Sequence, residues 1–109
     1  MSADAKALAD DAALARPRVL LVDDDEVTLM IAALAMRDRG FDVREVPSGR
    51  QALDLLAEAV PDVVVLDAMM PDPDGFETCR ALRAMPGCEH VPVLMLTGLN
   101  DDASITRAY

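Results

Sequence analysis

Tryptophan is absent from this 109-residue chain, and two Phe and one Tyr bring the aromatic share to only 3%. The core must therefore be built from Val, Leu, Ile, Ala and seven Met. Basic charge is scarce as well: ten Lys and Arg stand against twenty Asp and Glu, for a formal charge of -10, and Lys6 is the sole lysine. A surface this acidic repels phosphate backbones and anionic lipid, which argues against nucleic-acid or membrane partners. It suits cations or a basic protein face. Cysteine is limited to Cys79 and Cys88, with no C-x-x-C spacing, and His90 is the single histidine. That excludes a disulfide framework or a Cys/His metal site, and reads as reduced thiols in a cytoplasmic protein. Long apolar runs are missing too, so no membrane span is expected. The Ala-rich stretch from Met1 to Ala15 is broken by Asp4, Lys6, Asp10 and Asp11, unlike the apolar centre of a signal peptide.

What is present is a hydrophobic fraction of 52%, arranged in short blocks. The length allows one compact domain. Residues 1–17 read as an N-terminal extension, and Pro17 separates them from a domain over residues 18–109. Strands are expected at Arg18 to Val22, Asp42 to Val46, Val63 to Leu66 and Val93 to Leu96. Three of these are continuous apolar runs, the habit of parallel strands covered on both faces. The second is more polar and belongs nearer an edge. Between them, Val27, Met30, Ile31 and Leu34 recur with the spacing of an amphipathic helix, Ala52, Leu55, Leu56 and Ala59 give the buried stripe of a second, and Phe76, Cys79 and Leu82 are expected to point inward from a third. Gly40 and Pro61 punctuate the first two helices, and Ser48 with Gln51 has capping-box spacing. Ala103 to Tyr109 reads as the opening of a fourth helix. Strands alternating with helices specify an α/β fold with a doubly wound parallel sheet.

Chemistry-bearing residues stand at the strand ends. Asp23 and Asp24 follow the first strand, Asp67 follows the third, and Thr97 follows the fourth. In such sheets ligands bind outside the carboxyl ends of the strands, at the point where strand order reverses. With the order 2-1-3-4 that point falls between the first and third strands, where the acids are. Converging carboxylates repel one another and call for a cation, and hard oxygen donors on loops suit Mg²⁺. Asp67 then has a second possible role, as a carboxylate nucleophile for a phosphoryl group, with Thr97 donating its hydroxyl to a phosphoryl oxygen.

The stretches Val19 to Asp25, Val64 to Pro71, Asp74 to Glu77 and Val93 to Gly98 together resemble the receiver domain of two-component response regulators. The resemblance covers Arg18 to Tyr109 and implies a flavodoxin-like fold. It implies that Asp67 is the phosphoacceptor, taking its phosphoryl group from a phosphohistidine of a sensor histidine kinase or phosphotransfer protein. Mg²⁺ would be held by Asp24, by Asp23 directly or through water, by Asp67 and by the backbone carbonyl of Met69. Thr97 would be the switch hydroxyl, while Pro71 and Gly75 would shape the loop. Asp25 and Glu26 are assigned to the start of the first helix, where acids are favoured. Such a protein modifies itself and is not a turnover enzyme.

Receivers also carry a lysine after a fifth strand, with an aromatic switch residue on that strand. Neither matches this chain, so it reads as a receiver with the fifth strand and fifth helix missing. The fourth strand would then be an exposed apolar edge open to self-association. One alternative is a receiver-like interaction module that takes no phosphate. Another is a Mg²⁺-dependent phosphatase of the haloacid dehalogenase type, although Met69 stands where that chemistry needs a second Asp. Asp72 and Asp74 are read as turn residues, because Met70 and Ala81 occupy the first and last ligand positions of the calcium loop they otherwise resemble. The wording around Asp74 to Arg83 and Leu96 to Asp102 is similar to receivers joined to cyclic-dinucleotide output domains.

Overall fold

The computed structural model describes residues 16–96 and the backbone of residues 105–108. Its elements are β1 (Arg18–Val22), α1 (Glu26–Asp38), β2 (Asp42–Val46), α2 (Gly49–Glu58), β3 (Val63–Asp67), α3 (Gly75–Arg83), β4 (Val93–Leu96) and β5 (Ile105–Ala108). The first four strands are parallel in the order β2-β1-β3-β4, as the alternation of strands and helices implies. β2, the most polar, occupies the outer edge.

Alternation along the apolar strands sorts their side chains into two cores. Leu20, Val22, Val64 and Leu66 join Ala52 and Leu56 of α2 and Cys79 and Leu82 of α3 on one face. Val19, Leu21, Val43 and Val65 join Leu29 and Ala33 of α1 on the other. Continuous apolar runs were needed because both faces are covered. The segment before β4 is gathered by Arg83, whose Nη1 donates to the carbonyl oxygens of Cys88 (3.1 Å) and Val91 (2.6 Å). Both cysteines are buried thiols.

Each helix begins at a side-chain cap that satisfies amides left over at its first turn. Asp25 accepts from the Thr28 amide and hydroxyl, and Ser48 accepts from the Gln51 amide. Asp74 and Glu77 form a reciprocal capping box on α3.

Three expectations are corrected. The stripe Val27, Met30, Ile31 and Leu34 faces outward, each residue between 53% and 59% exposed, while Leu29 and Ala33 meet the sheet. α1 is apolar around most of its circumference, and spacing alone did not select the buried side. Phe76 is likewise exposed, because the buried side of α3 runs through Gly75, Thr78, Cys79 and Leu82 and leaves Phe76 off that side. Finally, Ile105–Ala108 is not helical: it forms β5, antiparallel to β4. Unpaired amides and carbonyls along β4 are hydrogen-bonding groups that seek partners, and this segment supplies them. The edge of β4 is therefore covered, and the expected self-association through an exposed fourth strand loses its basis.

Candidate phosphoacceptor and metal site

β1 and β3 run side by side with Val22 opposite Leu66, so their carboxyl ends emerge together. Asp23, the first residue beyond β1, is buried at 6% exposure, whereas Asp24 is exposed and Asp67, the last residue of β3, is half-buried. One carboxylate oxygen from each of the three lies within 4.8 Å of the others. An octahedral Mg²⁺ with oxygens at about 2.1 Å spans about 4.2 Å between opposite ligands, so the cluster needs only slight closure to hold one. The donor set fits a hard divalent cation.

The carboxylates are aimed by backbone amides. Asp25 N–H donates to Asp23 Oδ1 at 2.9 Å, and Met69 N–H donates to Asp67 Oδ1 at 3.0 Å. Burial pushes the Asp23 carboxyl above its ordinary value against the opposing effect of the Asp25 amide, and the neighbouring charges of Asp67, Asp24 and Asp25 push it further up. Crowded negative charge of this kind is relieved by a bound cation or by uptake of a proton. Asp25 is held below the usual carboxylate range by the hydroxyl and amide of Thr28, in keeping with its capping role.

The loop after β3 is closed by a very tight approach. Gly75 N–H donates to the Ala68 carbonyl at 3.2 Å. A Cβ at Gly75 would collide with the Asp67 carbonyl oxygen and stand 2.6 Å from Ala68 Cα. Glycine is obligatory there for space, which is how this residue shapes the loop. Met69 projects outward, 72% exposed. Leu96 lies opposite Asp67, and its carbonyl accepts from Ala68 N–H at 2.9 Å. Thr97 itself lies outside the described residues.

Sequence reasoning read Asp74 only as a turn residue, yet it caps α3; the Asp-x-x-Glu spacing to Glu77 was the available signal. The amide contacts to Asp23 and Asp67 had no such signal, since any residue supplies an N–H. A cavity of about 440 Å³ lined by Arg18, Arg44, Leu55 and Val60, among others, includes none of the three acids.

The family model of the response regulator receiver domain matches residues 19–109. The chain belongs to that family. This receiver is 40% identical over 90 residues to the DNA-binding response regulator MtrA of Mycobacterium tuberculosis, covering 83% of this chain and 38% of MtrA. It is 36% identical over 83 residues to the response regulator PleD of Caulobacter vibrioides, covering 76% of this chain and 18% of PleD. The receiver thus spans less than half the length of these relatives. Among solved structures it superimposes on the chemotaxis protein CheY4 of Vibrio cholerae with a TM-score of 0.76 at 33% identity, covering 81% of this chain and 73% of that one. The protein is a receiver domain of two-component signalling, with the flavodoxin-like order 2-1-3-4 in its parallel strands. Among the described residues no helix is long and apolar enough to cross a membrane.

Proposed function

We propose that this receiver accepts a phosphoryl group on Asp67 in the presence of Mg²⁺. The observation that carries the reading is the convergence of Asp23, Asp24 and Asp67 at the adjoining ends of β1 and β3. Asp23, Asp24 and Asp67, with the Met69 carbonyl, would hold Mg²⁺, which when bound neutralises charge on a phosphoryl group in transfer. A carboxylate oxygen of Asp67 attacks the phosphorus of a phosphohistidine. The P–N bond breaks as the P–O bond of an acyl phosphate forms, and the proton required is taken up by the departing imidazole. The Met69 amide keeps the Asp67 carboxylate aimed during this step. Thr97 supplies the hydroxyl that answers the new phosphoryl group.

Transfer of this kind is stoichiometric, so the protein is not a turnover enzyme. Its donor is a sensor histidine kinase or phosphotransfer protein. The outward stripe of α1, beginning three residues after Asp24, offers that partner an apolar seat beside the site. In a longer protein this receiver would act on an output domain. MtrA is named as DNA-binding, and the local wording of this chain favours a cyclic-dinucleotide type.

Acetyl phosphate with Mg²⁺, followed by intact-mass measurement, tests the reading. One phosphoryl increment is expected, absent after Asp67→Asn and incomplete in the parent chain, because Lys6 is the sole lysine and precedes the domain. Complete, stable modification would show that a lysine is dispensable. Failure to bind Mg²⁺ at millimolar concentration would favour an inert interaction module, and turnover of a generic phosphate ester would favour a phosphatase.

A further inference from the structure

The Asp67 carboxylate is oriented by an amide on a loop, and that loop is seated from behind by two helices. Met69 N–H holds Asp67 Oδ1, and the loop closes where Gly75 meets Asp67 and Ala68. Gly75 opens α3, whose first turn is pressed against the first turn of α2. The contact point is Gly49. A Cβ placed there would fall on Thr78 Oγ1, and would stand 3.2 Å from Thr78 Cβ and 3.1 Å from Pro73 Cγ. Thr78 is fully buried, and its hydroxyl donates to the Asp74 carbonyl at 2.8 Å. Pro73 belongs to the loop itself. One glycine on α2 therefore touches both the loop and the helix that ends it.

We infer that Gly49, Pro73 and Thr78 form a positioning contact for the acidic site. The missing side chain at Gly49 lets α2 approach closely enough to hold residues 68–74, and with them the Met69 amide, against Asp67. These residues act through the loop. A methyl group at position 49 has no slack to enter, because its neighbours are a buried hydroxyl already bonded to backbone and a rigid ring. The displacement passes to Asp74 through the Thr78 hydrogen bond and to the loop through Pro73. The inference rests on reading the acidic cluster as a Mg²⁺ site.

The test is Gly49→Ala in the full chain, with Mg²⁺ titrated by amide chemical shifts and hydrogen exchange followed at Met69. Loss of an outer contact of this kind is expected to weaken Mg²⁺ binding about tenfold. Met69 exchange should quicken by about tenfold as the loop loosens. In Gly49→Ala/Thr78→Ala the hydroxyl is gone from the space the methyl needs, so both quantities should match those of Thr78→Ala alone to within about threefold instead of adding the two losses. If Gly49→Ala fails to fold, Thr78→Val supplies the second arm: it keeps the side-chain volume, loses the bond to Asp74 and should also quicken Met69 exchange. A lowered Tm with Mg²⁺ affinity and Met69 exchange unchanged would overturn the inference, leaving only a packing contact. A parent chain that binds no Mg²⁺ would instead defeat the reading of the site, and Met69 exchange would still decide the positioning role.

Discussion

Among the described residues, α2 and α3 bury apolar stripes in a core of fifteen residues on one face of the sheet, while on the other α1 contributes to a core of six. α1 also carries Val27, Met30, Ile31 and Leu34 outward. The two faces thus use apolar side chains differently. Those of α2 and α3 stabilise the fold, while α1 divides its supply between the sheet and solvent, keeping a surface able to meet another molecule.

The contrast can be broken most forcefully by truncation in the larger core. Leu82→Ala, at a fully buried position on α3, should cost about 3 kcal/mol in chemical denaturation. Leu29→Ala, on the inward side of α1, should cost about 2 kcal/mol, since a smaller core collapses more readily around the gap. An equal or larger loss at Leu29 would reverse the ranking of the two faces.

A smaller effect, of opposite sign, is expected between the faces, where Asp23 follows β1. Its raised carboxyl means that the folded chain binds the proton more tightly than the unfolded chain. The penalty for ionising it is complete at neutral pH, eases as pH falls through the raised value, and is gone below the ordinary carboxylate range. Without metal, Asp23→Asn should therefore raise Tm by a few degrees at neutral pH and lose that advantage in acid. Melting curves across pH check this, and a lowered Tm at neutral pH would count against it.

The smallest change in stability belongs to the outer stripe. Ile31→Ser should alter stability by less than about 0.5 kcal/mol. It should nevertheless slow phosphoryl transfer from a phosphohistidine protein while leaving acetyl phosphate modification unchanged. Equal slowing with both donors would remove α1 from partner recognition.

Parallel strands and the acidic cluster were legible in the sequence for a shared reason. Val19 to Val22 and Val63 to Leu66 are too apolar for anything but burial on both faces, and acids directly following such runs cannot enter the core. The inward side of α1 was not legible, because Leu29, Ala32, Ala33 and Met36 compete with Val27, Met30, Ile31 and Leu34 at equally helical spacing. β5 was hidden differently. Ile105–Ala108 has no strand signature of its own, and its conformation follows from the bonds that β4 offers. The contact of Gly49 with Thr78 joins residues far apart in sequence, and only the assembled helices reveal it.

The acid that follows β1 also bears on how the sheet finds its alignment. A strand apolar on both faces carries little information about register, for a slide of one residue merely exchanges Leu20 and Leu21 between the two cores. Such a slide would also draw Asp23 into the sheet, where a carboxylate already strained by burial would lose what solvent it has. Asp23 thus opposes a slide of β1 in that direction. One of the acids gathered at the candidate cation site also tells an otherwise ambiguous strand where to halt.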